Sequence, residues 1–336
     1  MTMKAAILDG YDKNGRALAV RDIPVPEPAA SEVLVRVHAA GVNPLDSMIV
    51  RGEVKLITPY AMPLVMGNEL AGVVEKVGPA VRRLKVGDRV YGRLPLAKIG
   101  AFAEYAAVDE GALAVIPGYL SFEEAATVPL TALTAIQALD LLDAKAGQTL
   151  FIPGGTGSLG AMAIPIAVRR GLRVITSGSA ANRERVLRLG AERFIDYRTE
   201  DYATELSDVD LVLDTLGGDE VARELGVLRT GGRLVSLKGM PNGRFAKRMG
   251  MPALKRLLFA AAGHKLDRLA ASQGKTYDFL FVHEDGLGLD RLAWDFDAAH
   301  PLPTSVDAVF DLDQVNGAME KVRAGRSKGK TILRVR

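Results

Sequence analysis

Cysteine is absent from this 336-residue chain, which removes disulfides, thiolate metal sites and a cysteine nucleophile together. Histidine is nearly absent. His38, His264, His283 and His300 are scattered, and no pair has a ligand-like spacing such as HxxxH, so metal catalysis is not expected. There is one tryptophan, and aromatic residues make up only 6%. No charge sign dominates: 43 Lys and Arg against 40 Asp and Glu offer no argument for nucleic acid as a partner. No apolar run approaches the ~20 residues needed to span a bilayer. The start, MTMKAAIL, runs straight into a strand pattern without the apolar core and cleavage site of a signal peptide. These absences predict a cytoplasmic protein with neither nucleic acid nor membrane as partner.

What is present is enough apolar material, 48%, to fill two cores. From Met3 to about Leu120 short alternating runs rich in Val, Gly and Pro, such as Val33-Leu34-Val35-Arg36-Val37, predict β-strands between turns. Val33, Val35 and Val37 share one face, which leaves His38 as a solvated residue on the other. At Ser121 the texture changes, with Glu124 at capping-box spacing. Strands are then predicted at 149–153, 172–177, 193–196, 209–214, 232–237 and 277–283, separated by helices. Repeated βα alternation argues a parallel, doubly wound sheet. A helix from Leu287 to Ala299 should lead the tail back to the first domain. The predicted division is 1–121 with 284–336, and 122–283.

Directly after Leu150-Phe151-Ile152, Gly155, Gly157 and Gly160 spell GxGxxG at the head of a predicted helix. Such glycines close the turn, admit a pyrophosphate and pack helix on strand, while the helix N-terminus supplies free amides. The alternative is an ordinary helix-capping turn. An NAD site places an Asp or Glu after the next strand, yet no acid occurs between Gly160 and Arg183. Thr176, Ser177, Gly178 and Ser179 stand there, a composition that favours a 2′-phosphate and hence NADP(H).

The segment 252–272, PALKRLLFAAAGHKLDRLAAS, places Leu254, Leu257, Leu258 and Ala261 at helical spacing among basic residues. It reads as a helix packed over its own domain or covering the substrate cleft, or as a basic amphipathic helix for a membrane surface or partner.

The chain resembles the medium-chain dehydrogenase/reductase superfamily, and within it the zinc-independent, zeta-crystallin-like quinone oxidoreductases. The resemblance rests on KAAILDGY, VRVHAAGVNPLDSMIVRGE, MGNELAGVVEKVGPAVRRLKVGDRVYG, PGGTGSLG, LGAERFIDYR, LVLDTLGG, LRTGGRLVSLKG and GRSKGKTILRV. It implies an α/β chain with a GroES-like β-rich catalytic domain plus a Rossmann domain. Zinc-dependent members carry Cys where Asn43 stands and GHE where Gly67-Asn68-Glu69 stands, and the four-cysteine lobe is missing. The cofactor loop departs too, with Thr156, Ser158 and Leu159 between its glycines, Ser158 replacing a glycine. The tyrosine often found after the family's NxxD is absent beyond Asp46.

By resemblance, the cofactor is NADPH, its 2′-phosphate held by Arg183 and Tyr197 with Ser177 as hydroxyl neighbour. Arg183 has an alternative as a surface residue paired with Glu184, and Tyr197 as a strand-end aromatic. Thr134 and Asn43 match positions lining the nicotinamide, though either suits an ordinary helix or turn, and Lys330 is a further cofactor contact. Candidate donors to substrate are Asn43, Asn68 and Tyr60; Asp46 and Glu69 read as loop-fixing groups. A quinone is the implied substrate, with enones or 2-alkenals next and enoyl thioesters third. The reading from another class is a noncatalytic NADPH-binding redox sensor. A homodimer through the edge strand 276–282 is expected by analogy.

Overall fold

The computed structural model describes residues 1–15, 17–325 and 329–335. Arg326, Ser327 and Lys328 of GRSKGKTILRV lie outside the described residues. The chain divides into two units, Met1–Leu133 with His283–Arg336, and Thr134–Val282. The first boundary falls inside the helix Pro129–Leu141, later than the predicted change at residue 121.

In the first unit the long strand Glu32–Val42 organises a mainly antiparallel sheet. It pairs with Glu69–Val77, Tyr105–Asp109 and Lys330–Arg334. Val33, Val35 and Val37 are fully buried, as the alternation predicts. His38 is only half-exposed: its ring stacks on Phe122 with centroids 4.2 Å apart, because the short helix Phe122–Ala125 packs against this strand. Alternation along a strand cannot report what another element lays over its second face. Register brings Thr331 opposite Val42 and Leu70 opposite Ala40. Asn43, Glu69 and Lys330 therefore sit at one end of three adjacent strands.

The second unit carries a parallel six-stranded sheet in the spatial order Arg193–Asp196, Arg173–Gly178, Thr149–Ile152, Val209–Asp214, Leu228–Ser236, Thr276–Phe279. In chain order this is 3-2-1-4-5-6, the Rossmann arrangement. Phe151, Val212, Leu234 and Tyr277 are buried in its core. The last strand is shorter than predicted, ending at Phe279, and the following helix in the first unit runs Gly286–Trp294. No helix among the described residues is long and apolar enough to cross a membrane.

Candidate functional site

The strand ends of the first unit gather a closed polar cluster. Asn43, Asp46, Asn68, Glu69 and Lys330 are all buried, none more than 4% exposed. Asn43 caps the helix Pro44–Val50, and its backbone N–H donates to Asp46 Oδ2 at 2.7 Å. Asn68 Nδ2 donates to the other Asp46 oxygen at 2.7 Å. Asn43 Nδ2 donates to Glu69 Oε1 at 2.7 Å and to the Gly41 carbonyl at 3.2 Å. The Lys330 ammonium reaches Asn43 Oδ1 at 2.6 Å and Glu69 Oε1 at 2.5 Å. Glu69 Oε2 accepts the Leu130 N–H at 2.8 Å, in the first turn of the helix Pro129–Leu141, where the helix dipole favours a carboxylate.

These partners revise three expectations. Both amide hydrogens of Asn43 are already donated, so it positions Glu69 and Lys330 rather than donating to a substrate. Asn68 is fully buried on Asp46 and also positions. Lys330, expected at the cofactor, has its ammonium in this cluster inside the first unit. Burial pushes the Asp46 carboxyl up to about 7, against the Asn43 and Asn68 donors that hold it down. Asp46 and Glu69 do fix loops and helix ends.

Tyr60 keeps 9% exposure. Burial raises its phenol pKa, opposed by a bond to the Thr58 side chain and by the charge of Arg93. The sequence reading missed Arg93. This fully buried arginine ends the strand Arg89–Arg93, opposite Glu69 in register. Its Nη1 donates to the Leu94 carbonyl and lies 3.9 Å from Glu284, while Nε and Nη2 have no hydrogen-bond partner among the described residues. The available signal was an arginine at the end of a short strand that otherwise, after Arg89, reads Val-Tyr-Gly.

In the second unit the turn after Ile152 gives each glycine its own reason. A Cβ on Gly155 would lie 2.0 Å from Thr176 Oγ1, and one on Gly160 2.3 Å from Gly155 Cα. Gly157 is different: its Cβ would point into space, with only the Gly154 carbonyl at 3.8 Å. It caps the helix Ser158–Arg169 without a side-chain bond to the first amides. Thr156, Ser158 and Leu159 complete this turn and helix start. Ser177 is 4% exposed and accepts the Gly154 N–H at 3.2 Å. It braces the turn at the end of the strand Arg173–Gly178.

Arg183 is exposed, with its guanidinium over the Phe194 ring at 5.8 Å, and Glu184 pairs instead with Arg188 at 3.6 Å. Tyr197 is 59% exposed, under the guanidinium of Arg198. The sequence reading passed over Arg185, whose Nη2 donates to the Thr156 carbonyl at 2.9 Å and so fastens a cation to the glycine turn. Thr134 is buried in the helix Pro129–Leu141.

A profile of the alcohol dehydrogenase GroES-like domain matches residues 29–118, and one of zinc-binding dehydrogenases matches residues 189–333. An NADPH-dependent alkenal/one oxidoreductase of Arabidopsis thaliana chloroplasts is 34% identical over 76% of this chain and 68% of its own length. A mitochondrial NAD(P)H oxidoreductase of Danio rerio is 30% identical over 99% of this chain and 91% of its own. The chain belongs to the medium-chain dehydrogenase/reductase superfamily. It is an oxidoreductase of that superfamily, and membership implies a nicotinamide cofactor. Among solved structures, the quinone oxidoreductase of Coxiella burnetii superposes with a TM-score of 0.83 at 27% identity, covering 100% of both chains.

The second unit fits the dinucleotide that this superfamily uses. The open face of Gly157 at an uncapped helix N-terminus suits a pyrophosphate. Zinc does not fit the first unit's residues. Asn43 and Asn68 are poor zinc ligands, and Glu69 already holds the Lys330 ammonium. Among the described residues no group of three His, Cys, Asp or Glu side chains could hold a metal ion.

The glycine roles separate by mutation. Gly157→Ala is expected to keep the wild-type melting temperature and lose about tenfold or more in dinucleotide affinity. Gly155→Ala, whose methyl meets Thr176, should lose both. Calorimetric titration with thermal melts checks this, and unchanged affinity in Gly157→Ala would remove the pyrophosphate from that turn.

Proposed function

We propose that the chain is an NADPH-dependent, zinc-independent reductase of conjugated carbonyls, with quinones as the first substrate class. The carrying observation is the Lys330 ammonium, 2.5 Å from Glu69 in the cluster at Asn43 and Asn68. With that carboxylate held by lysine, it is not free to ligate a metal ion that would polarise an isolated ketone as a Lewis acid. A quinone or α,β-unsaturated carbonyl spreads the developing charge through its own conjugation. The bound nicotinamide supplies the hydride. The protein's residues hold the phosphates at Gly155–Gly160, fix the loops through Asp46 and Glu69, and donate from the neutral Tyr60 phenol to the substrate oxygen. The 2-alkenal and enone reading stands second, supported by the alkenal/one relative.

NADPH preference follows from the acid-free end of the strand Arg173–Gly178 and from Arg185 on the turn. Arg185→Glu and Arg183→Glu should each raise the KM for NADPH about tenfold and that for NADH less than about twofold. Equal weakening of both cofactors would contradict the 2′-phosphate assignment, including that of Tyr197. The end strand Thr276–Phe279 of the six-stranded order supports a homodimer, which light scattering tests. Acceptor-dependent NADPH oxidation separates this enzyme from a redox sensor that binds NADPH without turnover.

A further inference from the structure

The helix Ala253–Ser272 packs on its own unit with one side only. Phe259, Gly263 and Ala270 are buried, and Leu266 and Leu269 lie against the sheet's core. On the opposite side Leu254, Leu257 and Leu258 are 71%, 68% and 57% exposed. Single exposed leucines need no explanation, but three within five positions on one helix face make a continuous apolar ridge. At helical spacing the ridge continues through Ala261 into Lys265 and Arg268, all exposed.

Charge is concentrated on the same segment. Residues 243–272 hold seven Lys and Arg against the single acid Asp267, a net +6, whereas the whole chain is +3. The rest of the chain is therefore net negative. Arg244 binds Asp267 and Asp278, and Arg248 binds Asp278. Lys247, Arg256, Lys265 and Arg268, all exposed, lie on the same segment as the leucines. Two copies meeting through this surface would bring like charges together, so a second copy is a poor occupant. Exposed leucine beside Lys and Arg is the pattern of a helix lying in a lipid interface, with apolar side chains among acyl chains and cations at the headgroups.

We propose that this helix docks the protein on membrane surfaces bearing anionic phospholipid. The attachment is peripheral. The full-length protein should sediment with vesicles of phosphatidylcholine mixed with phosphatidylserine, and not with phosphatidylcholine alone. Raised salt should release it. Leu254→Ser with Leu257→Ser and Leu258→Ser should weaken binding about tenfold or more, and Lys265→Glu with Arg268→Glu by a similar factor. Melting temperature and NADPH oxidation should not change in either variant, since all five side chains are exposed.

Failure to sediment with the mixed vesicles overturns the proposal, as does equal binding by the leucine variant. Equal binding to phosphatidylcholine alone removes the anionic requirement and overturns it too. A halved mass for the leucine variant in light scattering would make a second copy the occupant. Binding to polyglutamate but not to vesicles would make it an acidic polypeptide.

Discussion

Lys330→Met is expected to destabilise the first unit by about 3–5 kcal/mol, the cost of leaving a buried charge without its partner. Lys330 and Glu69 are 4% and 0% exposed and 2.5 Å apart, so water cannot replace the ammonium. The loss spreads, because Asn43 Oδ1 loses its donor and the same carboxylate anchors the helix Pro129–Leu141 through Leu130. Adding Glu69→Gln removes the stranded charge and should recover part of the stability. Denaturant unfolding of the single and double variants measures this. A single variant within about 1 kcal/mol of wild type would mean the pair is not buried as described.

Glu224→Gln is expected to stabilise the second unit at alkaline pH and to leave it unchanged in acid. Glu224 is fully buried, with the Asp214 carboxylate beside it. Burial, with Asp214 and Glu220 nearby, pushes its carboxyl from the ordinary 4.5 up to about 10. The folded state then keeps a proton that the unfolded state releases above pH 4.5. Since the native state binds more protons, stability falls as pH rises from that value toward 10. Glutamine stays neutral and removes this slope. At pH near 8 the variant should exceed wild type by on the order of 3 kcal/mol, and near pH 4.5 the two should coincide. Unfolding curves across that range provide the check, and parallel pH profiles would place Glu224 in contact with water or a cation.

The glycine turn was legible because Gly160 is demanded by the backbone of Gly155 five positions earlier, and Gly155 by the adjoining strand at Thr176. The missing acid after the second strand was legible too. Arg185 was not, since the 3-10 turn Ala180–Asn182 precedes its helix and decides which arginine faces Thr156. Nor was the pairing of Asn43 with Lys330, 287 positions apart and joined only by sheet register. Asn43, Asn68 and Lys330 thus entered as contacts to substrate or cofactor, whereas Asn43 and Lys330 bind each other and Asn68 binds Asp46. The stacking of Phe122 over part of the His38 face was not legible either, since it comes from another element. The parallel order of the second unit was readable from strand and helix alternation. The first boundary was not, because the helix that crosses it continues across residue 133.

Oxidation of NADPH and NADH against a benzoquinone, a naphthoquinone, a 2-alkenal and a simple ketone, each with and without a chelator, tests the proposed reaction most directly. Turnover with the quinones or the alkenal, faster with NADPH and indifferent to chelator, is the expected result, and the better acceptor chooses between the two substrate classes. Turnover with the simple ketone alone, abolished by the chelator, would contradict it.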